Sequence, residues 1–310
     1  MPSVFKWICL VLPVLFWALL RQHNDLWWID NIVSIPSAIL LAYLIYTVFL
    51  LFRRQWVIGI TSFIITLCFI PFLVTSEAHR TEKCEGKLKV IQFNLFYENP
   101  DVNQFINYLI RNPADLVIMQ ELSPSVGDKL HLLDDLYPFY YGGQHHVGYP
   151  SNQMILSKYP LEPVTIYHTP DGQEMVRATW QVEEGEAITL MTAHPPSPRN
   201  ERLWQRRNAL IRTIEMLAEV YPSDEMMVVG DFNISAASPS FSGLFEEFQS
   251  SPVSSWPTSV KGFPIPGFTM IGIDHFWLKS KSMQRKICRR QSLSHPEGSD
   301  HRLVTTVVGY

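Results

Sequence analysis

Apolar residues run almost unbroken through the first quarter of the chain and then give way to short alternating patches. Ile32–Phe52 and Trp56–Val74 contain no charged side chain. At 1.5 Å of helical rise per residue, a run of about 20 such residues matches a hydrocarbon layer of about 30 Å. The stretch over residues 5–20 is shorter and contains Pro13, so a signal-peptide core or an interfacial helix competes with a span. Arg21-Gln22-His23 follows it in place of a small-residue cleavage site, which favours a short first span. Arg53 and Arg54 fill the turn between the two longer runs, and basic turns stay on the cytoplasmic side. Lys6 agrees, while Asp25 and Asp30 accompany Arg21 in the opposite loop, where Trp27 and Trp28 suit an interface. The expectation is an integral membrane protein with everything after Val74 extracytoplasmic. A buried hairpin in a soluble protein is the competing reading, and two long uncharged runs either side of Arg53-Arg54 count against it.

Past this helical module (1–74) the pattern changes. Residues 75–86 are polar and read as a linker. From 87 to 310, patches of strand length alternate with patches of helical period. Leu88–Leu95, Leu116–Met119, Gln153–Ser157, Met175–Val182, Ala187–Ala193, Met226–Val229, Gly272–Leu278 and Leu303–Val308 read as strands. Val102–Arg111 and Arg202–Val220 read as helices, the second with Leu203, Leu210, Ile211, Ile214 and Leu217 on one face. Strands and helices in mixed order predict a layered α/β (α+β) domain.

Charge sharpens the division. The formal net charge of −4 splits into +2 for residues 1–74 and −6 for the remainder. An acidic domain holds long nucleic acid poorly, because non-specific binding neutralises phosphates with Lys and Arg. Nuclease chemistry is not excluded, since a bound cation changes the field at a site. Four cysteines without a CxxC rule out a disulfide scaffold or zinc cluster. Cys84 and Cys288 are free to pair in an oxidising compartment, given a suitable Cα separation.

Polar residues cluster where the predicted strands stop. Strand 90–93 runs into Asn94, Leu116–Met119 into Gln120-Glu121, and Met191-Thr192-Ala193 into His194. Val228-Val229 leads into Gly230-Asp231-Phe232-Asn233, Ile273 into Asp274-His275, and Ser299-Asp300-His301 precedes the last strand. Carboxylates, amides and imidazoles at strand ends suit a hard cation together with a phosphate ester.

These motifs, in this order and spacing, resemble the endonuclease/exonuclease/phosphatase (DNase I-like) superfamily over roughly Lys87 to Val308, and the chain looks like a membrane-anchored bacterial-type member. Asn152–Leu161 is similar to that family's fourth-strand segment. The resemblance implies a four-layer α/β sandwich of two packed mixed β-sheets with outer helices, behind the helical module, and metal-assisted in-line attack of water with Mg²⁺ or Mn²⁺. It implies Glu121 as direct metal ligand, with Asn94 and Asp300 completing the shell, partly through water. Asp231 orients or deprotonates the attacking water, Asn233 and His301 hold the phosphate, Asp274 orients His301, and His194 assists the leaving group. The glutamate that partners this first histidine in the DNase branch has no convincing counterpart here. No nucleophilic Ser or Cys elbow precedes a helix.

Alternatives stay open at several positions. His275 alternates with Asp274 and reads as structural. His145 and His146 read as a solvated loop pair rather than a metal site. Arg199, Arg202, Arg206, Arg207 and Arg212 either border the cleft and grip phosphate or form a solvated helix face. Ser254–Gly272, with Trp256, Phe263 and Phe268, stacks on bases, touches lipid or packs on the sheet, the last being favoured. The substrate is nucleic acid, by a mild preference, or a phospholipid headgroup of the sphingomyelin kind. No insertion of the inositol-phosphate phosphatase type is evident, and a non-catalytic membrane binding module is the remaining class. A lipid bilayer is the second expected partner; no protein partner is deducible.

Overall fold

The structure is a computed structural model that describes residues 3–23, 25–73, 78–80, 84–85, 88–183 and 186–310. It opens with four helices: α1 (Ser3–Leu20), α2 (Trp27–Val33), α3 (Pro36–Phe52) and α4 (Trp56–Cys68). The run Ile32–Phe52, predicted as one helix, is broken. Helix α2 ends at Val33, Pro36 takes the first turn of α3, and the two axes meet at 56°. Proline at a helix start sacrifices only an N–H that lacks an intrahelical partner anyway, whereas in mid-helix it removes a bond. The predicted run Trp56–Val74 is likewise helical only to Cys68, with a short 3₁₀ turn at Ile70–Phe72. Among the described residues no single helix is long and apolar enough to cross a membrane; α2 and α3 together meet that test by length and composition. Leu10, Trp17, Val33, Leu40, Tyr43, Leu50 and Phe69 form the module's own core.

The rest is built from strands and three helices. In chain order these are β1 (Ala78–Arg80), β2 (Leu88–Asn94), α5 (Asn103–Arg111), β3 (Leu116–Gln120), α6 (Pro124–Leu130), β4 (Phe139–Tyr141), β5 (Met154–Ser157), β6 (Leu161–His168), β7 (Glu174–Glu183) and β8 (Glu186–Ala193). Then come α7 (Glu201–Val220), β9 (Glu225–Asp231), β10 (Gln249–Ser250), β11 (Ser259–Val260), β12 (Phe263–Pro264), β13 (Asp274–Ser280), β14 (Lys286–Leu293) and β15 (Leu303–Gly309). One sheet has the order β1-β14-β15-β2-β3-β5-β4 and the other β10-β13-β9-β8-β7-β6. Each contains one parallel pair, β2/β3 crossed by α5 and β8/β9 crossed by α7; all other neighbours are antiparallel. The predicted linker is only partly a linker. Residues 78–80 add an edge strand to β14 and Cys84 bonds to Cys288, with 5.8 Å between Cα atoms. Residues 75–77, 81–83 and 86 of that stretch lie outside the described residues.

Alternation along a strand sends successive side chains to opposite faces, and here each face has its own core. Val90, Ile118 and Ile155 meet Trp180, Leu190, Met227 and Phe276 between the sheets. Ile91, Phe93 and Val117 face outward against Phe105, Ile106 and Leu109 of α5 and Leu130 of α6. Met191, Met226 and Val228 on the other sheet meet Leu210, Ile211 and Ile214 of α7. The layers are therefore helix, sheet, sheet, helix, as the family resemblance implied. Burying one such side chain contributes roughly 1.5–3 kcal/mol, so the sheets are well fixed and can hold their tips in register.

The topology explains where those tips go. Parallel strands end on the same side, and an antiparallel neighbour begins there. Asn94 and Gln120 are register partners at the ends of β2 and β3; Asp231 ends β9 directly opposite Asp274, which begins β13. His301 lies two residues before β15, which starts beside the end of β2.

Candidate active site

Six strand ends thus deliver their polar residues to one rim of the sandwich. Asp231 stands at the centre. Its Oδ2 accepts a hydrogen bond from Asn94 Nδ2 at 2.9 Å and lies 3.6 Å from both His194 Nε2 and His301 Nε2. Asn94 Nδ2 also donates to Glu121 Oε1 at 3.0 Å, and His194 Nε2 lies 3.7 Å from the same oxygen. Glu121, His194 and Asp231 offer ligand atoms all within 4.8 Å of one another, as do Asp231, Asp274 and His301. Asp231 belongs to both groups.

Local chain geometry builds this meeting point. A Cβ at Gly230 would stand 2.2 Å from the Ala193 carbonyl oxygen, so glycine is what lets β9 pass this close to β8 just before Asp231. Glu121 has φ 54° and Asn233 φ 50°. Asparagine tolerates the left-handed region, but a glutamate held there costs on the order of 1–2 kcal/mol. Flanking bonds offset it: Leu95 N–H donates to the Gln120 carbonyl at 2.9 Å and Leu122 N–H to the Asn152 carbonyl at 3.0 Å.

The predicted residues divide into those that converge and those that stand at the border. Glu121, His194, Asp231, Asp274 and His301 converge. Asn233 joins them, its Nδ2 donating to the Pro195 carbonyl at 3.0 Å and lying 3.5 Å from His194 Nε2. Asn94 is present but presents its NH₂ to the two carboxylates, while its Oδ1 accepts Phe96 N–H at 2.9 Å. Asp300 joins neither ligand group among the described residues, and its Oδ2 accepts the Trp256 indole N–H at 2.9 Å. Ser299 ties this border together, its Oγ donating to the Asn94 carbonyl at 2.7 Å and accepting His301 N–H at 2.9 Å.

Electrostatics separate the two histidines from the third. His301 Nδ1 donates to Asp274 Oδ2 at 2.8 Å. Burial alone would favour neutral His301, but the charges of Asp274 and Asp231 outweigh it and raise its pKa to about 10. For Asp231, burial favours the neutral acid, and the charges of His301 and His194 with the Asn233 N–H hold it down at about 2. His194 is raised as well, the pull of Asp231 and Glu121 exceeding the cost of burial. His275, read as structural, is buried and bonds through Nε2 to the Ile234 carbonyl at 2.7 Å; burial pushes it down to about 4.

Other readings resolve differently. Within the basic run, Arg207 is buried in its pair with Asp30 at 2.6 Å and is not free to grip phosphate, whereas Arg206, paired with Asp171 at 2.8 Å, borders the cleft. Arg199 does line the cleft, which measures about 560 Å³ and is also bordered by Tyr97, Tyr149 and Asn152. Packing of 254–272 on the sheet, the favoured expectation, holds for its ends, where Ser254, Ser255, Met270 and Ile271 are buried, while Trp256 bonds Asp300 and Phe263 is 76% exposed. His145 and His146 join no ligand group among the described residues. Arg290 was missed: fully buried on β14, it donates to the Asp274 carbonyl at 2.8 Å and to Thr306 Oγ1 at 2.5 Å. The run Lys286–Leu293 carries too many charges to read as an interior strand.

Two hard carboxylates, Glu121 and Asp231, within one ion's reach supply oxygen donors that fit Mg²⁺ or Mn²⁺ better than a thiophilic metal, while Asn94 turns its NH₂ toward both. Comparison with known proteins bears on the family and the fold. Residues 91–301 match the Endonuclease/Exonuclease/phosphatase family. TDP2 from D. rerio, complexed with single-stranded DNA product, is similar over 73% of this chain and 100% of that one, with 19% identity and a TM-score of 0.61. A mutant of beta toxin from Staphylococcus aureus with bound magnesium ions is similar over 71% and 99%, at 14% identity and TM-score 0.57. The human Nocturnin catalytic domain with bound sulfate follows at 75% and 96%, 12% identity and 0.53. At such identities the likeness speaks for the fold. No curated protein sequence matches the chain.

Proposed function

The chain belongs to the Endonuclease/Exonuclease/phosphatase family, and from that premise we propose that it opens phosphodiesters by in-line attack of water, working from a membrane anchor outside the cytoplasm. It is a hydrolase of phosphoric ester bonds; the finer reading rests on the convergence at Asp231. A carboxylate held at about 2 accepts a hydrogen bond from water and orients it more readily than it removes a proton. His301, kept cationic by Asp274, offers a fixed positive donor to a non-bridging phosphate oxygen. Asn233 supplies a neutral donor beside it, and His194 faces the same space as proton donor to the leaving oxygen. Phosphoryl transfer asks chiefly for such alignment and charge neutralisation. Glu121, with Asn94 and Asp300 at its border, would hold Mg²⁺ or Mn²⁺, which supplies Lewis-acid neutralisation of the phosphoryl oxygens.

Outward-facing apolar side chains on α1, α3 and α4 support the anchor: Leu12, Phe16, Ile45, Phe49, Val57 and Ile64 are all exposed. Arg53 and Arg54 lie at the far end of α3 from the loop that touches the sandwich. The Cys84–Cys288 bond accords with an oxidising compartment.

For the substrate, Tyr97 and Tyr149 beside Arg199 favour a short single strand, stacked and charge-neutralised. One observation favours a phospholipid headgroup instead. A cavity of about 230 Å³ walled by Ile35, Pro198, Trp256, Ile271 and Ile273 shares Arg199 and Asn233 with the cleft. The deciding experiment is product release by the detergent-solubilised full chain from a single-stranded oligonucleotide and from sphingomyelin vesicles, with Mg²⁺, Mn²⁺ or EDTA. EDTA-sensitive cleavage of the oligonucleotide supports the first reading, and of the vesicles the second. Undiminished cleavage in EDTA removes the mechanism.

A further inference from the structure

Asp30 is the one acid in the helical module that is fully buried among the described residues, and it is buried against the sandwich. Its Oδ1 accepts Ser238 Oγ at 2.6 Å; its Oδ2 accepts Trp204 Nε1 at 2.9 Å and Arg207 Nη2 at 2.6 Å. Arg207, on α7, is itself 2% exposed. Its other arm, Nη1, donates to the Asn233 carbonyl oxygen at 3.0 Å. A single guanidinium therefore joins an acid of α2 to the peptide of a residue in the cleft.

That peptide is one that needs holding. Asn233 sits in the left-handed region just past the end of β9, and among the described residues no backbone N–H donates to its carbonyl. The residues after it are fastened by the same module: Ser235 Oγ donates to the Ser34 carbonyl at 2.9 Å, and Arg21 Nη1 donates to the Ala237 carbonyl at 3.0 Å. A buried guanidinium stripped of its carboxylate is strongly unfavourable, so without Asp30 it would draw toward water and leave the Asn233 carbonyl.

We propose that Arg207, held in place by Asp30 of α2, is a positioning residue for Asn233, so that the helical module sets the catalytic efficiency of the sandwich. The inference rests on the phosphoesterase reading, in which Asn233 contacts the phosphate. It differs from mere docking in one respect: the loss on breaking the pair should pass through Asn233.

The test uses the detergent-solubilised full chain, with Mg²⁺-dependent hydrolysis of bis(p-nitrophenyl) phosphate and thermal unfolding read together. Asn233→Ala should lower kcat by about 10²–10³-fold, in the range of lost transition-state donors. Asp30→Asn should lower kcat by at least about tenfold, and the double variant should be no slower than Asn233→Ala alone, as expected for groups acting as one unit. Arg207→Lys keeps a charge for Asp30 but lacks the fork that reaches the Asn233 carbonyl; it should stay folded and lose kcat likewise. Ser37→Ala, which breaks a module–sandwich bond to the Thr269 carbonyl away from Asn233, should keep kcat within about twofold. Wild-type kcat in Arg207→Lys, or losses that multiply in the Asp30/Asn233 double variant, would overturn the proposal. Full turnover in Asn233→Ala would overturn the phosphoesterase reading itself and this inference with it.

Discussion

The two halves of the sandwich follow one plan but are braced differently. Each has a parallel pair crossed by a helix, and each ends in polar tips at the common rim. On the β2/β3 side the tip is braced from within: Ser299 ties Asn94 to His301, and Gln120 and Asn152 carbonyls fix the backbone either side of Glu121. On the β8/β9 side residues 233–238 are held from within by Asp231, His275 and the Gly272 carbonyl, and in addition from the helical module, by Asp30 with Arg207, by Ser34 and by Arg21. A shared plan therefore yields one tip braced by the sandwich and one braced by the sandwich and the helical module together. Asp231 belongs to both ligand groups, and so marks where the two kinds of bracing meet.

The comparison can be attacked most forcefully at that shared point. Asp231→Asn removes the charge faced by both histidines, and kcat for a diester should fall by about 10²–10³-fold with the fold intact by thermal unfolding. A variant retaining a large part of wild-type turnover would show that the halves do not share a centre. Next in size is a change confined to the self-braced side. Trp256→Phe frees Asp300 from its indole partner, and the Mg²⁺ concentration for half-maximal activity should rise by about tenfold, in line with outer-shell partners of metal ligands.

A matched pair of serines sharpens the contrast further. Ser299→Ala removes part-buried and Ser235→Ala buried hydrogen bonding, and each should cost about 1–2 kcal/mol of stability. Amide exchange tells them apart: only Ser235→Ala should speed exchange in α2. The smallest effect is a slope. His275 braces the Ile234 carbonyl while neutral, and its folded pKa of about 4 lies below its ordinary 6.5. Between those values the unfolded chain binds more protons, so this contribution is complete above pH 6.5 and fades as pH falls toward 4. His275→Phe should lie lower in Tm at neutral pH and lose less than wild type over that acid window.

The braces explain which features could be read from the sequence. Strand tips were legible because an acid or imidazole at the border of an apolar run is a local signal, whether it closes the run, as at Glu121, His194 and Asp231, or precedes it, as at Asp274 and His301. Asp30 carries no such signal: an acid shortly after two tryptophans and just before an apolar run reads as an interfacial loop, and its partner Arg207 is 177 positions away. The arginines after Pro196 likewise read as one patch, although Asp171 and Asp30 claim two of them. Continuous hydropathy concealed the break at Pro36, because proline counts as neutral in such a run. The strands β6 and β14 escaped notice for the converse reason, since polar and charged residues such as Arg289 and Gln291 interrupt the apolar pattern there.

The covalent link at Cys84 has a mechanical consequence. Between the helices and the sandwich the chain first lies along β14 and is then bonded to it at Cys288, while Glu85 exchanges backbone bonds with Tyr310. Tension arriving from the helices is therefore delivered sideways into β14 before it can reach β2. Under thiol reductant only the β1–β14 pairing and the Glu85–Tyr310 bonds would carry that pull, so a stretched, reduced chain should lose its rim before an oxidised one does.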